Sequence, residues 1–298
     1  MKQTTALKTI LARREAVLLP GAANALFARA IEDVGFEAMY VTGAGIANMY
    51  LGVPDIGLTS LTEITSHVAA IADVVQIPLL VDADTGFGNA LNMIRTVQLL
   101  ERAGAAGIQI EDQVFPKKCG HFSGKDVIPL DEMISKVKAA VDARRDQDFQ
   151  IIARTDARAV LGLDAAIDRA HAMIGAGADV TFVESPVSEA EMLRIATELP
   201  VPQIANIVYG GLTPDLGRPL LAQMGFGGVL YANAALQAAL RASHDVLTAL
   251  KADGSLKNVG DRLAGFEERQ RIVAKEKFDA LEQKYKSGAF APRNELTK

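Results

Sequence analysis

Two aspartates set two residues apart, Asp82 and Asp84, close the apolar run Pro78-Leu79-Leu80-Val81 and lead into a glycine-rich turn, Thr85-Gly86-Phe87-Gly88-Asn89. Side chains alternate faces along a strand, so carboxylates at i and i+2 point to one side. Left uncompensated at the end of a buried strand they are costly, and a hard divalent cation with oxygen ligands resolves the cost. The plainer reading gives one of them to capping the helix that follows. Glu111 ends a similar run, Gly107-Ile108-Gln109-Ile110, and Asp55 sits in the loop Gly52-Val53-Pro54-Asp55-Ile56-Gly57. Asp82, Asp84, Asp55 and Glu111 converging on one rim predict a Mg2+ or Mn2+ site, completed by water and substrate oxygens. Zinc is not expected, because Cys119 and His121 lack the usual companion ligands.

A second cluster lies in Lys117-Lys118-Cys119-Gly120-His121. Most free cysteines are small buried hydrophobes, but neighbouring cations favour the thiolate. A thiol on a closing loop can serve as acid or base at a carbon sheltered from water. A nucleophilic, acyl-forming cysteine stays open, although no Cys–His–Asn set surrounds it. Arg154 ends the run Ile151-Ile152-Ala153; pointing inward, it would grip a carboxylate. Glu184 and Asn206 hold equivalent strand-end places. Together they suggest a pocket for a small, strongly oxygenated anion, with the metal offsetting the acids' field. His67, His171 and His244 fall in helical stretches and read as packing or surface residues.

The elements that must position these groups alternate along the chain. Strands are expected near 17–21, 38–41, 78–82, 107–111, 150–155, 180–184, 202–207 and 228–232, with helices between them, several ending at glycine. A first helix (5–15) precedes the first strand. Polar groups at the C-terminal ends of several strands are where a (β/α)8 TIM-type barrel keeps its chemistry. An open doubly wound sheet competes, but no Gly-x-Gly-x-x-Gly follows the first strand. Residues 113–125 are too long for a tight connection and suggest a flap over the site. Beyond the eighth strand, residues 234–286 form a C-terminal helical extension whose run over 259–284 exceeds what barrel closure needs. It is read either as a helix on its own barrel or as an arm exchanged with another subunit.

The chain has 298 residues, 49% of them hydrophobic, and a formal net charge of −5; its mean hydropathy is +0.16. One barrel domain spanning 1–298 is expected, with a core too rich for global disorder. No basic footprint supports nucleic-acid binding. No apolar run is long enough to span a bilayer, and the N-terminal residues lack a signal peptide's apolar core. One cysteine forbids an internal disulfide and fits a cytoplasmic setting.

Nearly the whole chain resembles the isocitrate lyase and phosphoenolpyruvate mutase superfamily. The resemblance rests on Val81-Asp82-Ala83-Asp84-Thr85-Gly86-Phe87-Gly88, Ile110-Glu111-Asp112-Gln113, Lys117-Lys118-Cys119-Gly120-His121 and Ala153-Arg154-Thr155-Asp156-Ala157. The short lyases for 2-methylisocitrate and 2,3-dimethylmalate and the petal-death type are nearest. The resemblance implies a Mg2+-dependent retro-aldol (Claisen-type) cleavage of a 2-hydroxy dicarboxylate, and a homotetramer whose C-terminal helix packs on a neighbouring barrel. It implies that Asp82 binds the metal while Asp84, Asp55 and Glu111 hold its waters. Thr42, Gly43 and Ala44 would hold the 2-oxo acid. Arg154 would take a carboxylate, with Glu184, Asn206, Gly120 and His121 around it. Lys117 would orient and acidify the thiol, and Cys119 would protonate the nascent carbanion. Tyr209 and Gln237 stand where 2-methylisocitrate lyases tend to carry glutamate and arginine, which favours the dimethylmalate type over a tricarboxylate substrate. 2-Methylisocitrate cleavage, oxaloacetate hydrolysis or decarboxylation, phosphonate rearrangement and a non-catalytic acid-binding barrel are the alternatives.

Overall fold

A computed structural model describes residues 1–118, 120 and 124–286. Eight short strands alternate with helices: β1 (Val17–Ala22), β2 (Met39–Val41), β3 (Leu79–Asp82), β4 (Gly107–Glu111), β5 (Gln150–Thr155), β6 (Val180–Val183), β7 (Ile204–Asn206) and β8 (Gly228–Tyr231). Each lies within about a residue or two of its expected place. All neighbouring pairs are parallel, in the order β6-β5-β4-β3-β2-β1-β8-β7. The seam between β6 and β7 is carried by one parallel bridge, Thr181 to Gln203. There the Thr181 amide donates to the Pro202 carbonyl at 3.2 Å and the Thr181 hydroxyl to Gln203 Oε1 at 2.8 Å. The sheet is a near-closed barrel, and the open-sheet alternative falls away. Exchange of helices between subunits is not something a single chain displays.

The helices are α1 (Gln3–Ala12), α2 (Ala25–Val34), α3 (Gly43–Ile46), α4 (Leu61–Ala72), α5 (Ala90–Arg102), α6 (Leu130–Ala143), α7 (Ala157–Leu161), α8 (Leu163–Gly175), α9 (Glu189–Glu198), α10 (Gly217–Met224), α11 (Ala234–Asp253), α12 (Phe266–Ile272) and α13 (Lys275–Lys286). Alternation along the strands produces two apolar layers. One set of side chains meets the helices. The other set, with Leu19, Leu80, Ile152, Phe182, Ile204 and Leu230, fills the barrel. Leu7 and Leu11 of α1 join that inner layer. A Cβ at Gly107 would stand 3.1 Å from Leu7 Cδ2, and one at Gly228 3.2 Å from Leu11 Cδ2. Both glycines begin strands, so α1 plugs the N-terminal mouth and leaves the C-terminal mouth for polar groups.

Chain contacts divide the protein into two compact units, residues 1–241 and residues from 242 onward. In the second, the helical run expected over 259–284 is broken. A 3-10 turn spans Gly260–Arg262, and α12 and α13 are separated at Ala274, whose φ is +55°. Neither of these two helices contains a buried residue.

Candidate active site

Strand ends and the loops after them deliver the polar groups to one mouth. Thr42, Ala44, Asp55, Asp82, Glu111, Lys117, Gly120, Arg154 and Asn206 all line a single pocket. Gly43, Asp84 and Glu184 stand directly behind it, tied to lining residues. Cys119 and His121 lie outside the described residues.

Asp82 is the last residue of β3. Its Oδ2 accepts the Gly43 amide at 3.3 Å, and its Oδ1 accepts the Asp84 amide at 3.2 Å and Gln109 Nε2 at 3.4 Å. These are long contacts for a carboxylate. A Cβ at Gly43 would come within 3.0 Å of Asp82 Oδ2, so a side chain there would press on the carboxylate. Asp84 reaches the site by a route that strand alternation does not describe. β3 ends at Asp82, and Asp84 has φ +46°, a left-handed turn conformation that Asp tolerates better than most residues. Its carbonyl accepts the Glu111 amide at 2.9 Å. Capping of the next helix falls to Asn89, whose side chain accepts from Leu91 and Asn92, so both aspartates are free for the pocket.

Lys117 Nζ bridges Asp55 Oδ1 at 2.5 Å and Asp84 Oδ1 at 2.7 Å. Burial works against its charge, but Asp84, Glu111, Asp82 and Asp55 hold the ammonium well above its ordinary pKa. Burial pushes Asp84 up to about 6, against the pull of Lys117. Glu111 is likewise raised by burial, against Arg154. Its Oε1 is buried without a hydrogen-bond partner among the described residues. Arg154 NH1 faces Glu111 Oε2 at 3.3 Å and Glu184 Oε2 at 3.4 Å, while its Nε and NH2 reach Asp156 at 2.9 and 3.1 Å. Asn206 donates to Glu184 Oε2 at 3.2 Å.

Among the described residues, no three His, Cys, Asp or Glu side chains are grouped closely enough to hold a metal ion directly. The donors gathered here are hard carboxylate oxygens, a type that suits Mg2+ or Mn2+. Among the described residues, six carboxylates (Asp55, Asp82, Asp84, Glu111, Asp156 and Glu184) stand in or behind the pocket with Lys117, Lys125 and Arg154, Lys118 is a fourth cation on its lining, and one buried oxygen of Glu111 lacks a donor. An acidic excess of this kind disfavours a dianion, and added positive charge would offset it.

Several site residues escaped the sequence reading. Tyr40 and Gln109 line the pocket two residues before Thr42 and Glu111, and Phe182 does so two before Glu184. The same period-two rule that selected the acids selects these. Tyr40 is buried and donates to Gln109 Oε1 at 2.9 Å. Burial and then Asp82 keep the phenol protonated, with its pKa well above the usual value. The chain Tyr40–Gln109–Asp82 holds the carboxylate in place. Tyr40→Phe should leave Gln109 Oε1 without its donor and cost about 1–3 kcal/mol; chemical denaturation of the variant measures it, with an unchanged midpoint opposing this account.

The amino-acid sequence matches the phosphoenolpyruvate phosphomutase family over residues 7–251. The chain belongs to that family. It is 43% identical over 288 residues to 2,3-dimethylmalate lyase of Eubacterium barkeri, covering 97% of this chain and 100% of that protein. Identity to 2-methylisocitrate lyase of Aeropyrum pernix is 43% over 257 residues, 86% of this chain and 82% of the relative. A solved oxaloacetate acetylhydrolase in complex with the inhibitor 3,3-difluorooxalacetate superposes with a TM-score of 0.90 at 32% identity, covering 98% of this chain and 99% of that one. The family sits in the superfamily shared with isocitrate lyase, near the lyases for 2,3-dimethylmalate and 2-methylisocitrate, and the chain is an enzyme of that carbon–carbon lyase group.

Proposed function

We propose that this lyase splits the C2–C3 bond of a 2-hydroxy dicarboxylate of the 2,3-dimethylmalate kind, releasing a 2-oxo acid such as pyruvate and a second carboxylic acid. The coarser statement, a carbon–carbon lyase for a hydroxy- or oxo-dicarboxylate, rests on the family and its relatives.

Arg154 takes one substrate carboxylate, helped by Asn206 and Gly120, while the Thr42–Ala44 turn receives the C1–C2 end. Asp82 would hold Mg2+ or Mn2+ directly, and Asp84, Asp55 and Glu111 would hold its waters. When bound, the cation supplies charge that lowers the cost of an alkoxide on C2. As the C2 hydroxyl passes its proton to a carboxylate of the acid cluster, the O–H electron pair forms the C2 carbonyl and the C2–C3 pair moves onto C3, beside its carboxylate. Cys119 then donates a proton to C3 before the bond can re-form, and the 117–121 stretch, His121 included, shields the carbon from water.

The observation that carries the substrate choice lies beside this pocket. A second cavity shares Val208 and Asn233 with it and runs past Tyr209, Asp215, Tyr231 and Gln237. Among the described residues, its lining contains an acid but no lysine, arginine or histidine. A third carboxylate entering it would meet Asp215 and only neutral donors such as Asn233 and Gln237, with no cation among the described lining residues to pair with, whereas alkyl groups would pack on its apolar surface. Tyr209 is 90% exposed, so it borders this cavity without roofing the central pocket. A 2,3-dialkylmalate should therefore show a kcat/KM at least about tenfold above that of 2-methylisocitrate. Steady-state kinetics at one fixed Mg2+ concentration decides this; a preference for the tricarboxylate overturns it. Oxaloacetate hydrolysis is the second reading, favoured by the likeness to the acetylhydrolase, and oxaloacetate belongs in the same assay.

The proposal extends to a cytoplasmic homotetramer. Exposed Phe266, Phe278 and Tyr285 in the C-terminal helices are apolar surface that a neighbouring subunit would cover. Among the described residues, no helix is long and apolar enough to cross a membrane.

A further inference from the structure

Lys125 is absent from the pocket lining, yet it is among the most buried charges near the site. Its side chain is 2% exposed, and its Nζ meets Asp156 Oδ1 at 2.6 Å, where Asp156 is wholly buried. The same Asp156 oxygen accepts Arg154 NH2 at 3.1 Å, and its partner oxygen accepts Arg154 Nε at 2.9 Å. Asp156 cannot swing away from this double duty. Its amide donates to Asp112 Oδ1 at 2.9 Å, and Asp112 is itself fixed by Arg169 Nε at 2.8 Å and the Thr155 hydroxyl at 2.7 Å. Lys125 Nζ also donates to the Gly120 carbonyl, which the Ser185 hydroxyl reaches at 3.1 Å. Gly120 lies so close to Arg154 that an added Cβ would stand 2.5 Å from NH2.

Arg154 thus stands against three carboxylates: Asp156, Glu111 and Glu184. An incoming substrate carboxylate must compete with all three for one guanidinium. Sharing Asp156 with a second cation weakens its claim, because the charge of one carboxylate is then divided between two partners. We infer that Lys125 is a positioning residue for substrate binding: by neutralising Asp156 it leaves Arg154 positive enough to hold an anion, and through the Gly120 carbonyl it ties that charge to the 117–121 stretch.

This inference rests on the reading of Arg154 as the carboxylate site, and oxalate, a compact dianion, tests the two separately. Calorimetric titration with oxalate in Mg2+ buffer would compare the intact protein with Arg154→Met, Lys125→Gln, Lys125→Arg and Ser185→Ala. Glutamine at 125 keeps a donor for both Gly120 and Asp156 but removes the charge, so folding should survive, which circular dichroism and a melting curve check. Lys125→Gln should weaken oxalate by at least about tenfold, with Lys125→Arg and Ser185→Ala within about threefold of the intact protein, as expected for loss of a unit charge one carboxylate away. Oxalate affinity unchanged in Lys125→Gln, while Arg154→Met loses it, overturns the role of Lys125 alone. A loss in Ser185→Ala equal to that in Lys125→Gln also overturns it, since seating of Gly120 would then set the affinity. Binding unaffected by Arg154→Met overturns the carboxylate site itself and this inference with it.

Discussion

Asp82→Ala should remove Mg2+-dependent turnover, lowering kcat/KM by at least about a thousandfold, as expected when a catalytic cation loses its direct ligand. The fold should survive. Asp82 sits at the rim and its hydrogen bonds, 3.2 to 3.4 Å, are long. Removing it also relieves repulsion, since it is one of the acids that raises Asp84, Glu111 and Tyr40. Because the Gly43 and Asp84 amides and Gln109 Nε2 lose an acceptor, the relief is offset and the variant without metal should melt somewhat below the intact protein, while the stabilisation that Mg2+ gives the intact protein should disappear. Melting curves with and without Mg2+ read this independently of activity. A variant that keeps both its rate and its Mg2+-dependent melting shift would falsify the site. Asp84→Ala is the informative contrast. Asp84 is the partner of Lys117 at 2.7 Å, so its loss should destabilise the protein by leaving a buried ammonium with Asp55 alone.

The second large effect is expected for Cys119→Ser. If the thiol protonates C3, a hydroxyl in its place is a far weaker acid, and kcat should fall by about 10²- to 10⁴-fold. Unlike Asp82→Ala, this variant should keep the Mg2+-dependent melting shift, since sulfur plays no part in holding the cation. Two of the three Lys117 Nζ hydrogens are committed to Asp55 and Asp84, which leaves one donor beyond that pair. The measurement is steady-state kinetics across 2,3-dimethylmalate, 2-methylisocitrate, other 2-alkylmalates and oxaloacetate. Full activity on every substrate turned over removes the thiol from the mechanism. Loss on the malates with retention on oxaloacetate would assign the thiol to C–C cleavage and leave a hydrolytic activity that does without it.

The strands were legible in the chain because they are short apolar runs, several of which end in or just before a polar residue such as Asp82, Glu111 or Asn206. That pattern depends only on local alternation and on punctuation by glycine. The same period places Asp82, Glu111, Arg154 and Asn206 at one mouth, since parallel strands of a barrel all end on the same side. Helix caps are equally local: Ser60 and Glu63, three residues apart, form a capping box on α4. His67 packs as expected, with Nδ1 on the Ala23 carbonyl at 3.0 Å and its ring against Tyr50.

What only the tertiary structure decided is how the charges pair. Lys117 lies 62 residues from Asp55 and Lys125 lies 31 from Asp156; no spacing rule links them, because loops and strand ends from different parts of the ring meet only when the barrel closes. Asp84 reaches the site through a left-handed turn after β3 has ended, so alternation named the residue for a reason the backbone does not follow. Tyr209 could have roofed the pocket or faced solvent, and the path of the segment after β7 leaves it exposed. The sequence by itself determined which side chains stand at the strand ends, because that is set by a two-residue period. Closure of the ring decided which of them neutralise one another and which remain for a ligand, because Coulomb energy depends on distance in space and not on distance along the chain.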